Sequence, residues 1–481
     1  MSSTFKHPAG FWILSLTGVF YCFAFGSITS LLILYLTQQG HLATHDAYSL
    51  FASLNALLFI LPLLGGYLSE RLGFRLGITV GLCTMLLATL SLAMPHRSAA
   101  IFGIACFAAG NAFVTPSTYA LIGLHYEENA LLRNSAYTLY YLLFNLGFFF
   151  SSLFAGFIAE HSFYTAFAVA AGSTIVALII FASCFYLLVP AKGSSFAPRV
   201  PWPFWARLPV FILTACILIL ISIFMLHHVT LNNIVFFTLT VVVSLGLLIA
   251  ALRQKERSRK LKMIAFLILC IFSVGFWSLY MLEPSLVTVF VSTNVNRVIG
   301  GFTIPASSYY ALDSFFIIVL GFFFSWLWHY LAKHKRDLSL PAKFSSSLLS
   351  MAIGYLIFAV AIFFANHTTY LVNSSWIVLA YVFIGSAELL ISPIGLSMIG
   401  VLMPKGREGL GVGIWQVYTG LSGVISGYLA NLANTPAEGL PQQTNPIFMD
   451  SFIKIGLGTL VIGLIMCVLT PKIRPLLIKQ S

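Results

Sequence analysis

Glu388 sits in the middle of the apolar run 376–403, and the surrounding sequence holds no Lys or Arg to balance it. An acid at the centre of a membrane span costs about 2.5–3.5 kcal/mol, so such residues line wet pathways or have a partner. Two more acids share its situation: Asp313, near the outer end of one apolar run, and Glu283, directly before Pro284 in another. A carboxylate at such a position can pair with an ammonium group, or take up and release a proton. Polar side chains inside other runs, Asn145, Ser392 and Thr115, could add hydrogen bonds. Tyr141, Trp415, Phe23 and Phe59 could supply aromatic surface. Each has a structural counterpart reading. Glu388 could be a helix-packing acid, Asp313 a solvated residue or a partner of Arg297, and Glu283 an interfacial acid. Asn145 and Ser392 could be interhelical glue, and the aromatics packing.

Other chemistry is poorly represented. The seven cysteines (22, 83, 106, 184, 216, 270, 467) all lie inside apolar runs without CxxC spacing, so they read as small buried hydrophobes. No His/Asp, Cys/His or HExxH constellation falls within a span, and the histidines lack ligand spacing. An enzyme is therefore not expected, nor is a metal or other cofactor.

The elements that position the acids are membrane spans. Of 481 residues, 59% are hydrophobic and only 8% charged, against about 25% charged in soluble domains. A span needs about 20 apolar residues, and only a helix satisfies its own backbone in lipid. Fourteen such segments are expected, near 10–37, 48–70, 76–95, 99–124, 133–159, 163–189, 208–227, 232–252, 261–292, 307–332, 345–365, 374–403, 409–433 and 450–471. The first is too long for a signal h-region, so it is expected to remain as a span. Spans seven and eight hold no acidic or basic residue and read as a lipid-facing addition. Setting them aside leaves six plus six. The expected divisions are an N-terminal half (1–190), a linker with two additional spans (191–260) and a C-terminal half (261–481).

The net charge of +12 sets topology and calls for no nucleic-acid partner. With the N-terminus inside, Lys and Arg fall almost entirely in alternate loops, and the other side holds little beyond Arg97 and Arg297. That bias places both termini in the cytoplasm. A multi-pass protein of the plasma (inner) membrane, monomeric in the lipid bilayer, is expected.

Several motifs carry a family resemblance. The stretch Gly65-Gly66-Tyr67-Leu68-Ser69-Glu70-Arg71-Leu72-Gly73-Phe74-Arg75 resembles the GxLaDrxGxR signature of the major facilitator superfamily, with Glu70 for the usual Asp. Glu388-Leu389-Leu390-Ile391-Ser392-Pro393-Ile394-Gly395-Leu396-Ser397 resembles the tenth-helix signature of its proton-dependent oligopeptide transporters. Tyr140-Tyr141-Leu142-Leu143-Phe144-Asn145-Leu146-Gly147 is similar to that family's FYxxxNxG, and Gly301-Phe302-Thr303-Ile304-Pro305 to its GFxIP. Gly413-Ile414-Trp415 is similar to its glycine–tryptophan helix opening. The resemblance implies an all-α integral membrane protein of the major facilitator fold, with twelve core helices in two six-helix halves around a midplane cavity, plus two extra helices. It further implies a secondary transporter of small peptides or peptide-like amines, working by alternating access. Gly66, Glu70, Arg71 and Arg75 would form a cytoplasmic gate, and the 294–307 loop an outer closure.

The departures narrow the chemistry. The family's first-helix ExxERFxYY is reduced to Phe23, with Gly18, Tyr21, Cys22, Phe25 and Gly26 at the other positions. The lysine of FKPN becomes Thr115, Phe59 stands where a tyrosine is common, and Asp313 occupies a family asparagine. The seventh-helix acid falls at Met281, with Glu283 two residues on. Two helical residues turn a side chain ~200° away, so Glu283 replaces that acid only if the helix unwinds at Pro284. Acids without a cation suit an amine or cationic substrate and disfavour a free carboxylate. Glu388 is expected to anchor a substrate amino group, with Glu283 or Glu388 carrying any coupled proton; symport and amine–proton exchange both fit. Two alternatives stay open: a non-peptide metabolite uniporter or exporter on the same frame, and a transport-deficient membrane sensor.

Overall fold

The computed structural model describes residues 7–126, 130–188, 200, 202–334, 338–403, 408–436 and 439–477. The basic residues Lys6, Lys192, Arg199, Lys335, Arg336, Lys405, Arg407 and Lys479 fall outside this set. The described chain is almost wholly helical: α1 (Ala9–Leu34), α2 (Thr44–Leu72), α3 (Phe74–Leu92), α4 (Arg97–Leu124), α5 (Ala130–Ala159), α6 (Phe163–Ser183), α7 (Phe204–His227), α8 (Val229–Leu252), α9 (Arg257–Tyr280), α10 (Thr288–Asn294), α11 (Ala311–Lys333), α12 (Leu340–Phe363), α13 (Ser374–Leu402), α14 (Glu408–Ala430) and α15 (Pro441–Leu477). α9 and α10 belong to one long span, giving fourteen, of which thirteen are long and apolar enough by composition to cross a membrane. This is a multi-pass membrane protein, as its charge-poor composition predicts.

Packing divides the chain into two compact units, residues 1–35 with 57–228, and residues 36–56 with 229–481. In the first, α1 packs on α5 and α6, α3 on α4, and α7 on α3 and α4. In the second, α12 packs on α13 and α15, α11 on α13, and α8 on α9 and α14. Lipid gives helices no hydrophobic drive to associate, so close contact rests on small residues. A Cβ built on Gly147 of α5 would lie 2.5 Å from the Val19 carbonyl oxygen of α1. One on Gly385 of α13 would lie 2.9 Å from the Phe316 Cβ of α11, so that glycine draws together the helices bearing Glu388 and Asp313.

Helix ends differ from the apolar runs where polar residues find partners. α7 begins at Phe204 and so takes in Arg207, whose Nη1 donates to the Leu72 carbonyl at 2.8 Å. α15 begins at Pro441, well before its apolar run, because Thr444 and Asn445 accept from the Asn294 Nδ2, both at 2.8 Å. Between α2 and α3, Gly73 adopts φ 118°, a conformation that side chains resist, so the sharp turn needs glycine there. In the second unit, β1 (Val295–Asn296) pairs in parallel with β4 (Val372–Asn373). β2 (Val298–Ile299) and β3 (Phe302–Thr303) form a hairpin around Gly300 and Gly301.

Gly147→Val forces branched bulk against the α1 backbone; we expect a loss of about 1–3 kcal/mol, seen as a lower melting temperature of the purified protein. An unchanged melting temperature would show that α1 and α5 do not pack at this glycine.

Candidate functional site

The long span that carries Glu283 does not run as one α-helix. Pro284 has no N–H and cannot continue the ladder, and α9 stops at Tyr280. A π-helical turn, Glu283–Val287, follows before α10 resumes. Freed backbone at this depth must be satisfied by neighbouring side chains. The Ser285 hydroxyl donates to the Met281 carbonyl at 3.1 Å, Thr288 donates to the Glu283 carbonyl at 2.9 Å, and the Tyr355 hydroxyl of α12 donates to the Leu279 carbonyl at 2.6 Å. The unwinding on which a role for Glu283 depends is therefore present.

Its consequence is a gathering of acids. Glu283, Asp313 and Glu388 are 0%, 1% and 5% exposed, and each lies within electrostatic reach of the other two. Asp313 is buried, not solvated at the helix end. Its Oδ2 accepts from the Tyr280 hydroxyl at 3.4 Å. Ser392 donates to Glu388 Oε1 over a long 3.5 Å. Both carboxyl oxygens of Glu283 are buried without a hydrogen-bond partner. Tyr310, Tyr355 and Tyr381 also lie within electrostatic reach of Glu283. Among the described residues, no cation figures among the neighbours of Glu283 or Asp313.

The remaining candidates fall elsewhere. Trp415 is buried in the second unit, packed edge-on to Phe344 and so close to Gly395 that a Cβ there would meet its ring at 2.6 Å. Side chains of Pro393, Ile394, Leu396 and Ser397 lie outside the described set. In the first unit, Thr115 donates to Asn111 Oδ1 at 2.7 Å and Tyr21 donates to the same oxygen at 2.9 Å. Asn111 Nδ2 in turn donates to the Leu58 carbonyl at 2.9 Å. Asn145 is buried and donates to the Tyr141 carbonyl at 2.9 Å, while Tyr141, Phe23 and Phe59 are partly exposed. At the α2–α3 turn, Gly66 faces Pro116 and Glu70 is exposed. The Arg71 guanidinium lies 4.5 Å from the Tyr67 ring centre. Arg75 lies 4.6 Å from that of Phe185 and donates to the Phe185 carbonyl at 3.2 Å. The structure thus assembles Glu283, Asp313, Glu388 and Ser392 in the second unit, and sets Thr115 into a separate network in the first.

A profile of the POT family matches residues 95–445. The dipeptide and tripeptide permease B of Yersinia enterocolitica is 30% identical over 474 residues, spanning 97% of this chain and 95% of that protein. The chain belongs to the POT family. Two solved structures show the same fold: a bacterial homologue of the human drug peptide transporters PepT1 and PepT2 (TM-score 0.84, 23% identity, 97% of this chain and 99% of that one), and tetrameric PepTSo2 (TM-score 0.85, 23% identity, 97% and 98%).

Sequence reasoning passed over several residues that the structure of this POT family protein places beside the candidates. Tyr280, Tyr310, Tyr355 and Tyr381 border the acids, yet 20 tyrosines in the chain give no one of them a distinctive signal. Asn111 is the hub of the first unit's network; an amide in the middle of an apolar run was the available sign. Tyr355→Phe removes the hydroxyl that holds the broken helix end. We expect it to cost about 1 kcal/mol and to disturb the placement of Glu283, lowering both melting temperature and substrate uptake. Wild-type values for both would show that the Leu279 carbonyl needs no such partner.

Proposed function

We propose that this protein is a secondary transporter of small peptides or peptide-like amines, working by alternating access, and that it is not an enzyme. The carrying observation is the meeting of Glu283, Asp313 and Glu388 in one buried region. A carboxylate at membrane depth needs a proton or a cation to neutralise it, and a substrate ammonium group is such a cation. Membership of the POT family and the permease name of the Yersinia relative support the same reading.

In this account Glu388 anchors the substrate amino group, with Asp313 and Ser392 beside it. Glu283 or Glu388 exchanges protons, because the first helix offers no acid. Asn145, Tyr141, Trp415, Phe23, Phe59 and Thr115 contribute polar and aromatic surface. Gly66, Glu70, Arg71 and Arg75 form the cytoplasmic gate; support comes from the hold of Arg75 on the Phe185 carbonyl just beyond α6 and the forced turn at Gly73. The chain would work as a monomer in the inner membrane with both termini cytoplasmic. Its functional divisions would be 1–190, 191–260 and 261–481.

The test is uptake of labelled dipeptides and their amides into proteoliposomes under an inward proton gradient. Loss of a charge-assisted contact is worth about 1.5–3 kcal/mol, so Glu388→Gln should reduce uptake roughly 10–100-fold. Uptake by Glu388→Gln at the wild-type rate would remove Glu388 from the substrate path. Absence of peptide and amine uptake by the wild type would refute the transport assignment itself.

A further inference from the structure

We propose that the corner of the first unit where the α2–α3 turn, the end of α6 and the start of α7 meet is a binding site for the headgroup of an anionic phospholipid, with Arg207 as its central contact. The inference does not depend on what the protein transports.

Backbone contacts hold arginines in place at this corner. Arg207 belongs to α7, which packs on α3 and α4, and its Nη1 donates to the Leu72 carbonyl at 2.8 Å. Leu72 lies three residues before Arg75. The Arg75 Nη1 donates to the Phe185 carbonyl at 3.2 Å, and its guanidinium rests 4.6 Å from the Phe185 ring centre. The Val200 N–H donates to the Arg71 carbonyl at 3.2 Å, so the approach to α7 is tied to the same turn. Arg71 is exposed, its guanidinium 4.5 Å from the Tyr67 ring centre. Arg75 and Arg207 come within electrostatic reach of each other. The segments 65–77, 185–188 and 200–210 together hold three arginines and one acid, Glu70.

Like charges held side by side repel, and an anion between them removes that cost. Arg207 presents such an anion with a specific edge. Its Nη1 is committed to Leu72, while its Nε is buried and has no hydrogen-bond partner among the described residues. Nε–H and the neighbouring Nη2–H form the edge of a guanidinium that grips a phosphate through two parallel hydrogen bonds. The start of α3 adds to this. Its cap residue, Gly73, brings no side-chain acceptor to the first turn, so the positive end of the helix dipole is left to an outside anion.

The surroundings favour a lipid over a free ion. Trp202, Phe204 and Trp205 at the start of α7, and Tyr186 beside Phe185, are all exposed, Trp205 to 79%. Tryptophan and tyrosine settle at the headgroup level of a bilayer. Arginines at that level, on the face that the proposed topology makes cytoplasmic, meet the leaflet that carries anionic lipid.

The experiment titrates the purified full-length protein in neutral detergent with dioleoyl phosphatidylglycerol, dioleoyl phosphatidylcholine or inorganic phosphate. Binding is read as thermal stabilisation and as lipid retained on the intact protein in native mass spectrometry. Phosphatidylglycerol should reach half-maximal stabilisation at a concentration roughly tenfold or more below that for phosphatidylcholine, the factor a charge-assisted contact supplies. Arg207→Gln should remove most of that preference. If Arg207→Gln does not fold, Arg71→Gln, at an exposed position, takes its place and should lower the preference severalfold. Equal potency of the two lipids overturns the inference, as does a preference that the substitution leaves intact. Stabilisation by inorganic phosphate at the concentrations that suffice for phosphatidylglycerol overturns the lipid as occupant.

Discussion

Three carboxyl groups share one buried region of a hydrocarbon-embedded protein, with no Lys or Arg among the described neighbours of Glu283 or Asp313. That is the constraint on which the second unit's architecture turns. Each acid alone would be costly at membrane depth, and together they repel. The protein holds them there by committing other groups to the cost: a helix break that swings Glu283 inward, hydroxyls that satisfy the broken backbone, and a glycine contact that draws α11 and α13 together. In the transport account proposed above, the compensating charge arrives from outside, as a proton or as substrate.

The backbone around the acids is correspondingly well satisfied. Hydroxyls of α12 reach the carbonyls of α13 on the turns next to Glu388, Ser347 to Ala387 at 2.8 Å and Ser350 to Phe383 at 2.7 Å. Tyr355, on the same helix, reaches α9. α12 thus ties together the elements that carry Glu283 and Glu388. The groups left without hydrogen-bond partners include both carboxyl oxygens of Glu283. The first unit contrasts with this. There Tyr21 and Thr115 both donate to Asn111, which donates to the Leu58 carbonyl, and none of the three carries a charge.

Much of the fold was legible in the sequence because membrane spans depend on composition over about twenty residues, a coarse and robust signal. The fourteen spans and the glycine-bearing turn at Gly73 follow from it. Helix ends were less legible, since they depend on hydrogen bonds made far along the chain, as at Arg207 to Leu72 and Asn294 to Asn445. For the site, Glu388 stood out as a lone acid in an apolar run. Glu283 was ambiguous because its direction hinged on whether Pro284 broke the helix, which local sequence permits without requiring. Asp313 looked like a helix-end residue open to solvent. Only the packing of α11 against α13 buries it and brings it to Glu388. The surrounding tyrosines could not be singled out from a chain that is 15% aromatic.

The central claim is that the three acids form one ligand-responsive group. Reaction of the native protein with a hydrophobic carbodiimide, mapped by mass spectrometry with and without a diamine, addresses it most directly. The account predicts adducts on Glu283, Asp313 or Glu388 that fall together as the diamine concentration rises. Labelling of the exposed Asp46, Glu70 and Asp450 should remain unaffected. Adducts on the three acids that are indifferent to the diamine, or that respond independently of one another, would contradict it.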